Sequence, residues 1–173
     1  MHVLQWVIVE ADDKESAVTV ADELLEQEMG DPETPRSWYD WFIAGGGRWN
    51  SEQDDFGFDK PTNMVISFSE DPNAFRAKID ELIANRIETY NEYREEFSKI
   101  DLNTVLDSYQ GNMSYSMDTY AIRNMLKMLQ GDWNYDSKFI DLVHWSTSAT
   151  HILSKIDNGL GETLFLVPID FHF

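Results

Sequence analysis

Twelve consecutive residues, Trp38-Tyr39-Asp40-Trp41-Phe42-Ile43-Ala44-Gly45-Gly46-Gly47-Arg48-Trp49, set the tightest limit on how this chain folds. Each glycine loses more backbone freedom on folding than any other residue. A run of three that becomes ordered is therefore used for left-handed dihedrals or for close backbone approach. A spacer would not need the flanking rings. Two arrangements suit the segment. In one, the glycines and Arg48 cradle an anion with backbone amides and a guanidinium. In the other, Arg48 pairs with Asp40 and stacks on Trp41 or Trp49, while the glycines form a bulge or tight corner. The second is the expectation, with Asp40 and Arg48 in contact and Trp41 and Trp49 mostly buried beside them. Neither the Gly-x-x-x-x-Gly-Lys-Ser/Thr nor the Gly-x-Gly-x-x-Gly nucleotide fingerprint is present.

The segment lies in a chain of 173 residues with 32 acids and 13 bases, a net charge of −19, and it sits in the acidic pole. Residues 1–60 hold 15 acids against 4 bases, residues 61–100 hold 8 against 5, and residues 101–173 hold 9 against 4. Such a field repels phosphate backbones and anionic lipid, which argues against direct nucleic-acid or membrane binding and for a basic protein partner. Acidity that only keeps a tryptophan-rich surface dissolved, or that suits a saline habitat, is the competing explanation. Aromatic residues make up 13% and apolar residues 42%, which is incompatible with a disordered acidic tail. The length suits one domain, 1–173, able to bury a core without a metal or disulfide. Cysteine is absent, which removes disulfides, thiolate zinc sites and thiol nucleophiles. No stretch reaches the roughly 18 apolar residues of a membrane span and the amino terminus lacks signal-peptide character, so a cytoplasmic protein is expected.

Hydrophobic patterning gives the order of elements. Val3 to Val9 reads as a buried strand, and Asp12 or Asp13 caps a helix carrying Ala17, Ala21, Leu24 and Leu25 that closes at Gly30. Met64 to Phe68 reads as a second strand. Ser69 or Asp71, ahead of Pro72, opens the longest helix, whose apolar stripe runs from Phe75 through Ile79, Leu82 and Tyr93 to Ile100. Short helices are expected over Asp101–Tyr109, Asp118–Gly131 and Ser146–Ile156, with strands over Phe139–Trp145 and Thr163–Phe173. The sum is an α+β fold. The preferred picture is a ferredoxin-like sandwich, an antiparallel sheet with helices on one face, plus a helical insertion.

Chemistry-bearing motifs are few. His2, His144, His151 and His172 match no metal-ligand or nucleophile-base spacing, serines lack a nucleophile elbow, and acid pairs such as Asp54-Asp55 are common at this composition. No catalytic residue, metal or cofactor is expected. Tyr39-Asp40-Trp41-Phe42 leading to Gly-Gly-Arg48-Trp49, with the closing Pro168-Ile169-Asp170-Phe171-His172-Phe173, resembles a group of small phage and bacterial proteins. These share an aromatic-Asp-aromatic-aromatic run before Gly-Gly-Arg-Trp and a closing strand with Asp-x-His. The resemblance covers about twenty residues, and this chain carries one more glycine before the arginine. It implies a phage or mobile-element origin and no activity.

The expected function is a small acidic protein-interaction module that binds and modulates a host protein, in one form by occupying a basic surface that otherwise meets nucleic acid. Its contact residues would be Trp38, Asp40, Trp41, Gly45, Gly46, Gly47, Arg48 and Trp49, with Asp22, Glu23, Glu26, Glu28, Asp54 and Asp55 supplying the charge. The alternative is a small-ligand or phosphate-binding domain, or a small enzyme, using the Gly45–Gly47 loop and Arg48. A third reading is an assembly component that oligomerises through the Pro72–Ile100 helix. The sequence leaves the oligomeric state open.

Overall fold

The structure, a computed structural model, describes residues 2–29, 40–50, 61–101, 103, 125, 140–141 and 149–172. Its elements are β1 (His2–Glu10), α1 (Lys14–Met29), β2 (Trp41–Ala44), a 3-10 turn over Gly47–Asn50, β3 (Ile66–Ser67), α2 (Pro72–Ser98), β4 (Ile140–Asp141), α3 (Ala149–Asp157) and β5 (Leu164–His172). By contacts the chain falls into two compact units, Met1–Leu82 with Lys138–Phe173, and Ile83–Ser137.

The first unit is organised by β1 and β5, which pair antiparallel without interruption from His2↔His172 to Glu10↔Leu164. Both strands are runs of apolar residues rather than alternations, the pattern of strands covered on both faces. Val7 and Val167 point to one face, Ile8 and Leu166 to the other, and all four are fully buried. Each such side chain contributes about 2 kcal/mol of burial. β4 adds to β1 in parallel, while β2 and β3 both add to β5 antiparallel, β2 at residues 169–172 and β3 at 165–166.

Pro168 lies where β2 has ended and β3 has not begun. Gly45 N–H donates to the Pro168 carbonyl at 2.8 Å, so the missing Pro168 N–H faces the same gap. A proline in a central strand is tolerated because no ladder bond is lost there.

The fold is α+β. The strand order carries that class without the finer ferredoxin-like reading, since a split βαβ unit centres on parallel strands and the centre here is the antiparallel β1–β5 pair. Helices also occupy both faces instead of one. α1 packs Ala17, Ala21 and Leu25, spaced by four, onto the face of Val7, Val167 and Ile169. On the opposite face the Lys78 amine of α2 lies 5.0 Å from the Trp6 ring centroid, and Lys155 of α3 meets Glu10 at 2.6 Å. The physical reason is the apolar character of β1 and β5 on both sides, which a single helical layer would leave half wet.

Local chemistry fixes the helix starts. Asp13 accepts from Ser16 N–H at 2.7 Å and Asp71 from Ala74 N–H at 2.9 Å, so Asp13 and Asp71 are the caps among the sequence candidates. Pro72 occupies the first helical position, where its absent N–H costs nothing. In the second unit α2 continues with Ile83, Tyr90, Tyr93 and Phe97 half-buried on one stripe. Lys99, just past its end, reaches back to Glu95 and Glu96 at 3.2 and 2.7 Å. The expected helices over Asp101–Tyr109 and Asp118–Gly131 lie almost wholly outside the described residues.

Two consequences can be measured. Gln5 is buried opposite Ile169, and neither of its amide atoms has a hydrogen-bond partner among the described residues. An unmet buried amide is costly, so Gln5→Leu is expected to stabilise by about 1–2 kcal/mol in denaturant unfolding. Asp22 on α1 has its carboxyl pushed up by burial and then by the neighbouring Glu26 and Glu23 charges. A raised carboxyl disfavours the folded state once pH exceeds the unfolded value. Asp22→Asn should therefore raise the melting temperature at neutral pH, with the gain vanishing as pH falls below the ordinary carboxylate range.

Candidate functional site

The His2 end of the β1–β5 ladder gathers a cluster of polar side chains on a largely apolar sheet. His2, Asp170 and His172 fall on one face because residues two apart in a strand point the same way, and β2 brings Trp41 opposite His172 on that face. His2 Nδ1 lies 2.9 Å from Asp170 Oδ1, and His172 Nδ1 lies 3.1 Å from Asp40 Oδ2. The Trp41 and His172 rings stack at 4.9 Å with 7° between planes. His2 meets Trp41 edge-on at 5.3 Å and His172 at 4.9 Å. Two histidine–carboxylate pairs thus share one indole.

The triglycine run leads from β2 into this cluster. Gly45, Gly46 and Gly47 have φ of 92°, 94° and 45°, values that cost other residues about 1–2 kcal/mol each. The corner closes through Trp49 N–H to Gly46 O at 2.8 Å and Asn50 Nδ2 to Gly45 O at 3.1 Å. Arg48 N–H donates to Asp170 Oδ2 at 3.1 Å. Asp170 is 0% exposed, and a buried carboxylate is tolerable only when its oxygens are engaged. Here one oxygen meets an imidazole and the other a backbone amide. The approach requires glycine: a Cβ at Gly47 would sit 2.7 Å from Asp170 Oδ2, and one at Gly45 would run into the Pro61 carbonyl.

This geometry corrects the expected pairing. Asp40 bonds to His172 and not to Arg48, whose side chain is exposed and makes no ion pair among the described residues. Trp41 and Trp49 are not buried either, at 36% and 49% exposure. The reason is that Asp40 enters β2 beside the closing strand, while Arg48 lies beyond the glycine corner with only its amide turned inward. The tight-corner expectation for the glycines holds. Their anion-cradle alternative meets a competitor, since the Arg48 amide already binds the protein's own carboxylate.

The candidate residues fall into separate groups. Asp40, Trp41, Gly45, Gly46, Gly47, Arg48 and Trp49 form one corner. Glu23 and Glu26 are exposed and Asp22 half-buried on α1, so among the described residues these acids lie on the far side of the sheet from Trp41 and His172. Trp38, Asp54, Asp55 and His144 lie outside the described residues, as do the side chains of Glu28 and His151. The sequence reading had assigned no role to His2, Asp170 or His172. Two signals were available, the Asp-x-His spacing inside a strand and a histidine opening the strand at the other end of the chain.

Among the described residues no group of three or more His, Asp or Glu could hold a metal ion, and no helix is long and apolar enough to cross a membrane. Comparison with protein-family models, curated proteins and solved structures finds no match.

The corner yields a paired prediction. Gly47→Ala adds a steric clash with buried Asp170 to the backbone cost, whereas an added Cβ at Gly159, at φ 77°, meets no described residue within 4 Å. Gly159→Ala is expected to cost about 1 kcal/mol and Gly47→Ala at least about 3 kcal/mol, read as midpoint shifts in urea.

Proposed function

We propose that the protein is a protein-interaction module whose contact surface is the corner bearing Trp41, Arg48 and Trp49. One observation carries this reading: two large aromatics at 36% and 49% exposure bracket an exposed arginine on a corner held by buried Asp170. Tryptophan and arginine dominate binding hot spots, and a corner ordered beforehand has less freedom to lose on association. The net charge of −19 favours a partner with a basic surface and speeds encounter with it. In a phage-encoded setting, which rests on the residue resemblance alone, such a module would bind a host protein and block a basic, nucleic-acid-binding surface. The small-ligand or phosphate-binding alternative has weaker support, because Asp170 occupies the amide that an incoming anion would need.

The test is retention of a partner from lysate at low and high salt, followed by affinity measurement with the purified partner. Trp49→Ala should weaken binding about tenfold or more while shifting stability by no more than about 0.5 kcal/mol. Joint replacement of Asp22, Glu23 and Glu26 by the corresponding amides should slow association and flatten the salt dependence. Unchanged affinity in Trp49→Ala would remove the corner as the contact surface. Unchanged salt response in the amide variant would assign the acidity of α1 to solubility.

A further inference from the structure

Trp41 joins the exposed corner to four titratable side chains, and we propose that this contact surface is proton-linked. Protonation of His172 and His2 clamps Trp41 in place, and their deprotonation loosens it. This rests on the reading of the corner as a partner-binding surface and adds its regulation.

The argument is geometric. His2 and His172 are directly opposed in the β1–β5 ladder, on the same face, with ring centroids 4.9 Å apart. Each has its own carboxylate at Nδ1, Asp170 for His2 and Asp40 for His172. β1 contributes His2, and β5 contributes Asp170 and His172. The segment entering β2 contributes Asp40, and the corner contributes Arg48, which reaches Asp170 through its backbone amide. With neutral imidazoles and ionised carboxylates, the two pairs carry two negative charges, one of them on fully buried Asp170. With both imidazoles protonated the charges cancel. The two cations repel across the ladder, but each faces a carboxylate along its Nδ1 edge.

Trp41 registers the change because His172 lies flat on it, 7° from parallel. A protonated His172 holds the indole as a cation over an aromatic face while ion-paired to Asp40, the residue preceding Trp41. A neutral His172 keeps only the stacking and an uncharged donor. Imidazole is the side chain that ordinarily changes charge across roughly pH 5 to 8, which sets the range over which the clamp is tested.

The experiment needs no partner. In the full ¹⁵N-labelled chain the indole N–H signals of the six tryptophans are followed by NMR from about pH 8 to pH 5, with that of Trp41 identified by its loss in Trp41→Phe. The Trp41 signal is expected to move along a titration curve. The displacement should fall by about half or more in His172→Gln and disappear in the His2→Gln/His172→Gln pair. The signal of buried Trp6, on the same sheet, reports whether each variant is folded. Should the double variant fail to fold, Asp40→Asn provides the same test, since it removes the ion pair at His172 and should shift the midpoint of the Trp41 curve. A Trp41 signal that is flat in the wild-type chain, or that titrates unchanged in the folded variants, overturns the proposal. A Trp41 signal that titrates, together with partner binding indifferent to Trp49→Ala, supports the proton clamp and overturns the contact-surface reading instead.

Discussion

Nine consecutive residue pairs between β1 and β5 are the constraint on which everything else in the first unit depends. Because both strands are apolar on both faces, the pair cannot stand alone in water. It needs α1 on one side and the first turns of α2 with α3 on the other. The ladder also decides where chemistry can exist. Along most of its length buried positions are apolar, with Gln5 an exception, and at the His2 end polar residues cluster on one face. The site is thus the polar terminus of a largely apolar sheet, and its residues are close together because the ladder's register puts them there.

Asp170 then organises that terminus. A buried carboxylate draws donors toward it, and those it finds are an imidazole from the opposite strand and an amide from a glycine corner. The usual association of glycine-rich loops with bound phosphate is inverted: the loop binds an anion, but the anion belongs to the protein. This explains why three glycines are needed without invoking a ligand. It also explains why Arg48 can leave its guanidinium in solvent, since the inward electrostatic duty falls to its backbone.

Much of this was legible in the sequence, and the remainder was not for identifiable reasons. β1, α1 and α2 were readable because their signals are local: an aliphatic run, Ala17, Ala21 and Leu25 at helical spacing, and Asp13 and Asp71 at capping positions. The glycine corner was readable because triglycine has few uses. The partners of Asp40 and Arg48 were not, because proximity in sequence suggested a pair that the fold keeps apart. Asp40 meets His172 across 132 residues, and no local pattern encodes that. Placing α2 and α3 on the second face needed the inference that strands without alternation are covered twice. β4 falls within the strand expected over Phe139–Trp145, but its parallel attachment to β1 has no local signature in the sequence.

The joining of early and late chain has a kinetic consequence. His2 and Asp170 are 168 residues apart, and closing a loop of that length costs about 4.5 kcal/mol of chain entropy before any contact between its ends is made. During synthesis at about 5–20 residues per second, β1 leaves the ribosome on the order of ten seconds before its partner strand exists. In that interval its aliphatic residues have α1, and later the first turns of α2, to shelter them, but not their main ladder partner. Helices α1 and α2 form from local contacts while the sheet waits, so assembly of the central ladder is the late, slow event for this chain. Until then an unpaired apolar strand is the species most exposed to wrong association. The same distant closure that builds the site thus makes β1 the segment for which a chaperone would matter most.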